Sequence, residues 1–416
     1  MIQQVGTDTA ITIIQRGLAY WEPRLADRRD QPLAALNQQR SLFFTAISHG
    51  LRHKVSQHQA ARLVLATFDL VERYHYWEEW LPLVETAVAS CNQAHLDLKI
   101  SLLNRLGYYH KLFYRLDTAA GCHNEALQLV ERLAVDRPDL RGETHFYLGE
   151  LSITRGEWPQ AEAHSRQALS LFQQQPQAAT WQAAALTSLG TIYQQQKKSL
   201  AKAEVYLLEA ANIWQEAKRP VRAARVYGTL ASVNITRQTY ESAHTYLQQA
   251  FALIRKADLP VDEINFWVTL GLLHYEQAEW EEAERAFLQI VQPRLAQWAT
   301  AYQMALTYNN LGNVLRQTGQ YAEAQRYLYQ AIAAWDAGGP ALRQSADKGN
   351  SVGSLGEVHF DQQEWEKAAA AFETALDILQ QQPPGNAWVE SLIATFRAKL
   401  AQAAAKLTHT EHPTEH

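Results

Sequence analysis

The chain has 416 residues, a formal net charge of −5 and a pI near 6.3, with 47% hydrophobic and 19% charged residues. Such a composition supplies ample core material and excludes global disorder, and its acidic balance argues against a surface that wraps nucleic acid. Cys91 and Cys122 cannot build a disulfide framework, and the start lacks a signal-peptide pattern, so a cytoplasmic location is expected. No uncharged apolar run reaches the roughly 18 residues of a membrane helix, which leaves no membrane partner. With only 19 Gly and 13 Pro among many Ala, Leu and Gln residues, the chain reads as helical.

In chain order, helices are expected over about 10–28 and 33–52, separated by Asp30-Gln31-Pro32. Residues 57–90 follow as a degenerate helix pair, in which Trp80 and Ala87 lie twelve and nineteen residues after Phe68. The aromatic run Tyr74-His75-Tyr76-Trp77-Glu78-Glu79-Trp80 reads as the turn and core of that pair, with a ligand platform as the alternative. Residues 1–95 are therefore degenerate N-terminal repeats or a cap.

From 96 to 385 a clear period takes over. Leu106-Gly107, Leu148-Gly149, Leu189-Gly190, Leu230-Ala231, Leu270-Gly271, Leu311-Gly312 and Leu355-Gly356 recur at spacings of 42, 41, 41, 40, 41 and 44. Twelve residues on come Ala119, Ala161, Ala243, Ala283, Ala324 and Ala368; the third unit has Ala203, thirteen on, which implies an insertion near Lys197-Lys198-Ser199. Seven further on stand Ala126, Ala168, Ala210, Ala250, Ile290, Ala331 and Ala375. Each unit reads as two antiparallel helices, with the glycine in the first letting the second approach closely. Trp158, Tyr240, Trp280, Tyr321 and Trp365 mark the turns between them, and Pro138, Pro176, Pro220, Pro260, Pro340 and Pro383-Pro384 are expected to stop helices between units. Residues 386–407 form a C-terminal capping helix that covers the last repeat, and residues 408–416 a disordered tail.

These landmarks resemble the tetratricopeptide repeat. Trp267-Val-Thr-Leu270-Gly271-Leu-Leu-His274 is close to its signature, and Leu186-Thr-Ser-Leu189-Gly190-Thr-Ile-Tyr193 keeps the aromatic. The units are longer than the roughly 34 residues of the common repeat. In that they are similar to the repeats of kinesin light chains and of the sensor regions of STAND signalling ATPases. The resemblance implies an all-α fold, a right-handed α-α superhelix, whose first helices line a concave groove.

The sequence has no phosphate loop, GxGxxG, GxSxG, CxxC or HExxH, so no enzyme activity, cofactor or metal is expected. His49, His53 and His58 lack a completing ligand. Positions near the Leu-Gly landmark, on the face away from the core, give a candidate groove: Asn104, Tyr108 and Lys111; Glu143 and Glu150; Thr187, Thr191 and Gln194; Arg225; Asn265 and Tyr275; Asn309, Asn313 and Arg316; and Asn350. An asparagine both donates and accepts, so a row of them suits the backbone of an extended peptide. The expected function is a non-enzymatic interaction module that binds a protein or peptide segment in this groove, as sensor or scaffold of a signalling system. The alternative is a receptor for a small molecule or short signalling peptide, which calls for a deep pocket lined by Tyr, Trp and Asn.

Overall fold

A computed structural model describes residues 2–26, 35–197, 199–255, 259–382 and 386–411. The Asp30-Gln31-Pro32 separator, Lys198, Pro383-Pro384 and residues 412–416 lie outside the described residues. Among those described, every regular element is helical. They divide into two compact units, Met1–Val233 and Asn234–His416.

The first unit opens with α1 (Ile2–Ala26), α2 (Arg40–Leu51), α3 (Gln57–Ala66), α4 (Phe68–Tyr74) and α5 (Trp77–Ser90). Their shared core holds Phe43, Ile47, Val64, Leu70 and Trp80, all essentially inaccessible. Trp80 donates its indole N–H to the Val64 carbonyl at 3.3 Å. The aromatic run is thus turn and core, with Trp77 and Trp80 buried and Tyr74 and Tyr76 partly so.

Helix pairs follow: α6 (Leu96–Leu112) with α7 (Leu116–Glu131), α8 (Pro138–Arg155) with α9 (Trp158–Gln173), and α10 (Ala179–Gln196) with α11 (Leu200–Glu216). The last helix of this unit, α12 (Pro220–Thr236), runs over the division. In the second unit come α13 (Tyr240–Ile254), the pair α14 (Pro260–Glu276) and α15 (Trp280–Val291), then α16 (Ala301–Gln317) with α17 (Tyr321–Ala337) and α18 (Ala346–Asp361) with α19 (Trp365–Gln380). Finally α20 (Ala387–Glu411) shares a core with α19 through Val389, Phe396 and Ala403, Phe396 stacking on Phe372, and it continues four residues beyond the expected end at 407.

One register fixes each pair. A Cβ on Gly107, Gly271 or Gly312 would come within 2.4–2.5 Å of His123, Phe287 or Leu328, which lie sixteen residues on. The glycine is needed because the partner side chain fills its space. Ala119, Ala161, Ala203, Ala243, Ala283, Ala324 and Ala368 are completely buried, as are the small or aliphatic residues seven further on. The turn aromatics are half-buried. They cap the pair edge-on, as Trp280 does on Tyr275 and Trp365 on Phe360.

The prolines do more than stop helices. Pro138, Pro220 and Pro260 are the first residues of α8, α12 and α14, where the missing N–H has no helical partner to lose. Cys91 and Cys122 are half-buried, and burial pushes both thiols up to about 11.

Candidate functional site

The first unit holds a half-open cavity of about 270 Å³. Its walls are Phe68, Asp69 and Glu72 of α4, Arg105 and Tyr108 of α6, Phe146, Tyr147 and Glu150 of α8, Trp181, Thr187 and Ser188 of α10, and Arg222 and Arg225 of α12. Trp214 of α11 and Arg219, just before α12, complete it. The repeat explains the assembly. Arg105, Tyr147 and Ser188 each stand two residues before their unit's glycine, so equivalent positions of three successive first helices arrive at one place.

Ion pairs tie these walls together. Arg105 has a side chain only 6% exposed; it donates to Glu143 at 3.0 Å and to the Tyr147 hydroxyl. Its guanidinium lies 4.6 Å from the Phe68 ring centre and 5.2 Å from that of Trp181, a cation held against aromatic faces. Arg222 grips Glu72 with both terminal nitrogens, Arg225 stands 3.9 Å from the same carboxylate, and Arg219 meets Asp69 at 3.3 Å. Lys111 and Ser188 donate to Glu150 at 3.0 and 2.7 Å. Burial opposes ionisation of Glu72 and Glu150, but Arg222 and Arg225 for the one and Lys111 for the other outweigh it and hold both below the usual carboxylate range. Burial raises the phenols of Tyr108 and Tyr147. The Nε atoms of Arg105 and Arg219 are buried and meet no acceptor.

The fifteen groove residues expected from the sequence fall in different settings. Tyr108 and Arg225 line the cavity, and Tyr108 donates to Glu72 at 3.4 Å; Lys111 reaches the wall through Glu150. Thr191 and Gln194 are half-buried on α10 outside it. Asn104 is a correction: it is wholly buried, its amide donating to Thr144 at 2.9 Å while its oxygen lies 3.3 Å from His123. It joins repeats instead of facing a groove.

In the second unit Asn265 is exposed and accepts from Gln303 at 2.9 Å. Asn313 and Asn350 are half-buried. Burial raises the phenol of Tyr275, against the pull of Arg316. Arg316 is held by Glu357 at 2.8 Å and Asp361 at 3.6 Å. Asn309 is a second correction, since it is only 3% exposed and its side-chain oxygen has no partner, so the expected row of solvent-facing residues on α16 is broken at its first member.

Sequence reasoning missed Asp69, Glu72, Arg105, Trp181, Trp214, Arg219 and Arg222. The available signal was Arg105 itself: an arginine next to Leu106 on a core-facing stretch needs a buried carboxylate, which Glu143 provides. No group of three or more His, Cys, Asp and Glu side chains among the described residues is placed to hold a metal ion, and none of the helices searched there is long and apolar enough to cross a membrane.

Residues 181–256 and 303–381 match the family model described as tetratricopeptide repeat. No curated protein matches the sequence. Among solved structures the chain is similar to a Rap protein complexed with Competence and Sporulation Factor, at 14% identity and a TM-score of 0.56 over 85% of this chain and 99% of that one. It is similar to the apo form of the quorum sensor NprR from B. thuringiensis, at 14% identity and a TM-score of 0.54 over 76% and 83%. It is also similar to aspartyl phosphate phosphatase F from Bacillus subtilis, at 13% identity and 0.54 over 89% and 94%. At these identities the likeness is one of fold. The register of glycines against the residues sixteen on, the segments that match the repeat's own model and these neighbours agree: the chain carries tetratricopeptide repeats on an all-α solenoid.

Proposed function

We propose that this chain is a non-enzymatic, cytoplasmic interaction module that binds a protein or peptide segment along its first helices, as the sensor or scaffold of a signalling system. The observation that carries this reading is the cavity, because the first helices of four successive units contribute Arg105, Tyr147, Thr187 and Arg222 to it. Two neighbours in fold are named a Rap protein complexed with a factor and a quorum sensor, which suits a module that receives a signal. A third is named a phosphatase. Nothing in the cavity favours catalysis by a general acid, because Glu72 and Glu150 are held ionised in ion pairs, whereas general acids are carboxylates raised towards neutrality. The test is hydrogen exchange on the full chain with and without a partner recovered from the native cell. Protection should fall on α6, α8, α10 and α12; protection confined to α7, α9 and α11 would refute it.

A second reading, a receptor for a small molecule or short signalling peptide, is favoured by one observation. The cavity has Tyr108, Tyr147, Trp181 and Trp214 on its walls, the aromatic lining that this alternative requires, although no asparagine lines it.

A further inference from the structure

Arg219, Arg222 and Arg225 stand three residues apart, and Ala223 donates its N–H to the Arg219 carbonyl at 3.1 Å, so all three share the register of α12 and form a row along one side of it. Asp69 and Glu72 have the same spacing on α4 and meet that row. Arg219 donates to Asp69 at 3.3 Å, Arg222 grips Glu72, and Arg225 shares Glu72 at 3.9 Å. The contact is one of charge. Phe68, Leu70 and Val71, the apolar side of α4, are buried in a core that draws only on residues between Ile14 and Cys122 and takes none from α12. Between the two helices a gap of about 20 Å³ remains, lined by Val221 and six charged side chains. Arg222 and Arg225 also line the half-open cavity, and their side chains are 29% and 34% exposed against 13% for Glu72, so the arginine side of the contact is the more open to water.

We propose that the arginine row on α12 is a docking surface for an acidic helical segment of a partner protein, and that α4 occupies it in the free chain. The assignment rests on the reading of the first helices as the binding face, since α12 is one of them, and it names the chemistry of the partner. A helix whose carboxylates recur every three or four residues repeats the pattern of Asp69 and Glu72 and meets the same guanidinium groups. Release of α4 requires only that the ion pairs break, because its apolar side is held by the N-terminal core. The chain thus carries its own competitor, and a partner binds more weakly by the fraction of chains in which the row is covered.

The test is fluorescence anisotropy on the full chain with a labelled, alanine-based helical peptide that carries glutamates along one face, beside its glutamine counterpart. The chain with Asp69→Asn and Glu72→Gln together should bind the glutamate peptide about tenfold or more tightly than the parent does, with a thermal melt to check folding. The glutamine peptide should bind neither, and added salt should weaken the glutamate peptide. Hydrogen exchange on the parent needs no variant, so it decides the matter if the double variant misfolds. Saturating glutamate peptide should slow exchange in α12 and quicken it in α4. Slower exchange in both helices, or equal affinity of parent and variant, would overturn α4 as the resident occupant. Equal affinity of the two peptides, or no binding to the variant at about 1 mM, would overturn the arginine row as an acidic docking surface. A native partner that protects α6, α8, α10 and α12 while the glutamate peptide fails would overturn this assignment alone and leave the first helices as the binding face.

Discussion

Arg222 on α12 grips Glu72 on α4 across 150 residues of sequence, with both terminal nitrogens on both carboxylate oxygens. The pair joins the degenerate N-terminal helices to a repeat helix and forms part of the cavity wall. Glu72 is 13% and Arg222 29% exposed at the side chain, so the pair is mostly but not fully withdrawn from water. Removing one partner of a fully buried pair costs roughly 3–5 kcal/mol; Glu72→Gln should cost less, on the order of 2 kcal/mol by urea denaturation. The sign with pH follows from the depressed Glu72 carboxyl. Its stabilisation is present above the unfolded value near 4.5 and is lost as pH falls through the folded value. Glu72→Gln should remove that part of the acid sensitivity.

The glycine register makes a paired prediction. Gly271→Ala would put a methyl 2.5 Å from the Phe287 ring and should destabilise by about 1–3 kcal/mol, the range for overpacking. Gly121, mid-way along α7, has nothing within 4 Å of a Cβ, so Gly121→Ala should stabilise by about 0.5–1 kcal/mol. Chemical denaturation of the two variants beside the parent reads both signs.

Turns inside the pairs carry left-handed backbone at a fixed place, two residues before the next helix. Gly156 and Gly319 occupy it in two units, but Tyr114, Gln238, Ala278 and Gln363 occupy it in others. A side chain there costs roughly 1–2 kcal/mol. Ala278→Gly should therefore raise stability by up to about 1 kcal/mol, once glycine's greater freedom in the unfolded chain is set against the relief. A lower melting temperature would refute this.

His123 occupies the position that Leu207, Phe287, Leu328 and Phe372 fill elsewhere, facing the glycine of its pair. Burial, with Lys111 adding to it, pushes its pKa down to about 3, so the folded chain keeps it neutral where the unfolded chain protonates it. Unfolding thus takes up a proton between about pH 6.5 and 3, and stability falls by up to ~1.4 kcal/mol per pH unit through that window. His123→Leu should flatten this slope in melts run from pH 7 to 4.

Much of the fold was legible because a repeat states each packing rule several times. Gly107, Gly190 and Gly312 recur with their alanine partners, and no strand-like alternation competes. The cavity was less legible, because its walls come from different units. Arg105, Trp181 and Arg219 converge only once the stacking of successive pairs is known. Asn104 shows the same limit from the other side. Its helical position matched a groove face, but Thr144 and His123, 40 and 19 residues on, enclose it. The left-handed turns at Tyr114 and Ala278 carry no glycine and gave no signal at all.

On the proposed function, the first helices of the pairs, and not the second, form the binding face. Site-specific photocrosslinking in native cell extract tests it directly, with p-benzoylphenylalanine placed at Thr187 or Asn313 on first helices and at Glu209 or Gln330 on second helices. Thr187 and Asn313 are half-buried, and Glu209 and Gln330 are exposed. A discrete partner adduct from Thr187 or Asn313, and none from Glu209 or Gln330, is the predicted result. Adducts from Glu209 and Gln330 alone would place the binding face on the second helices instead.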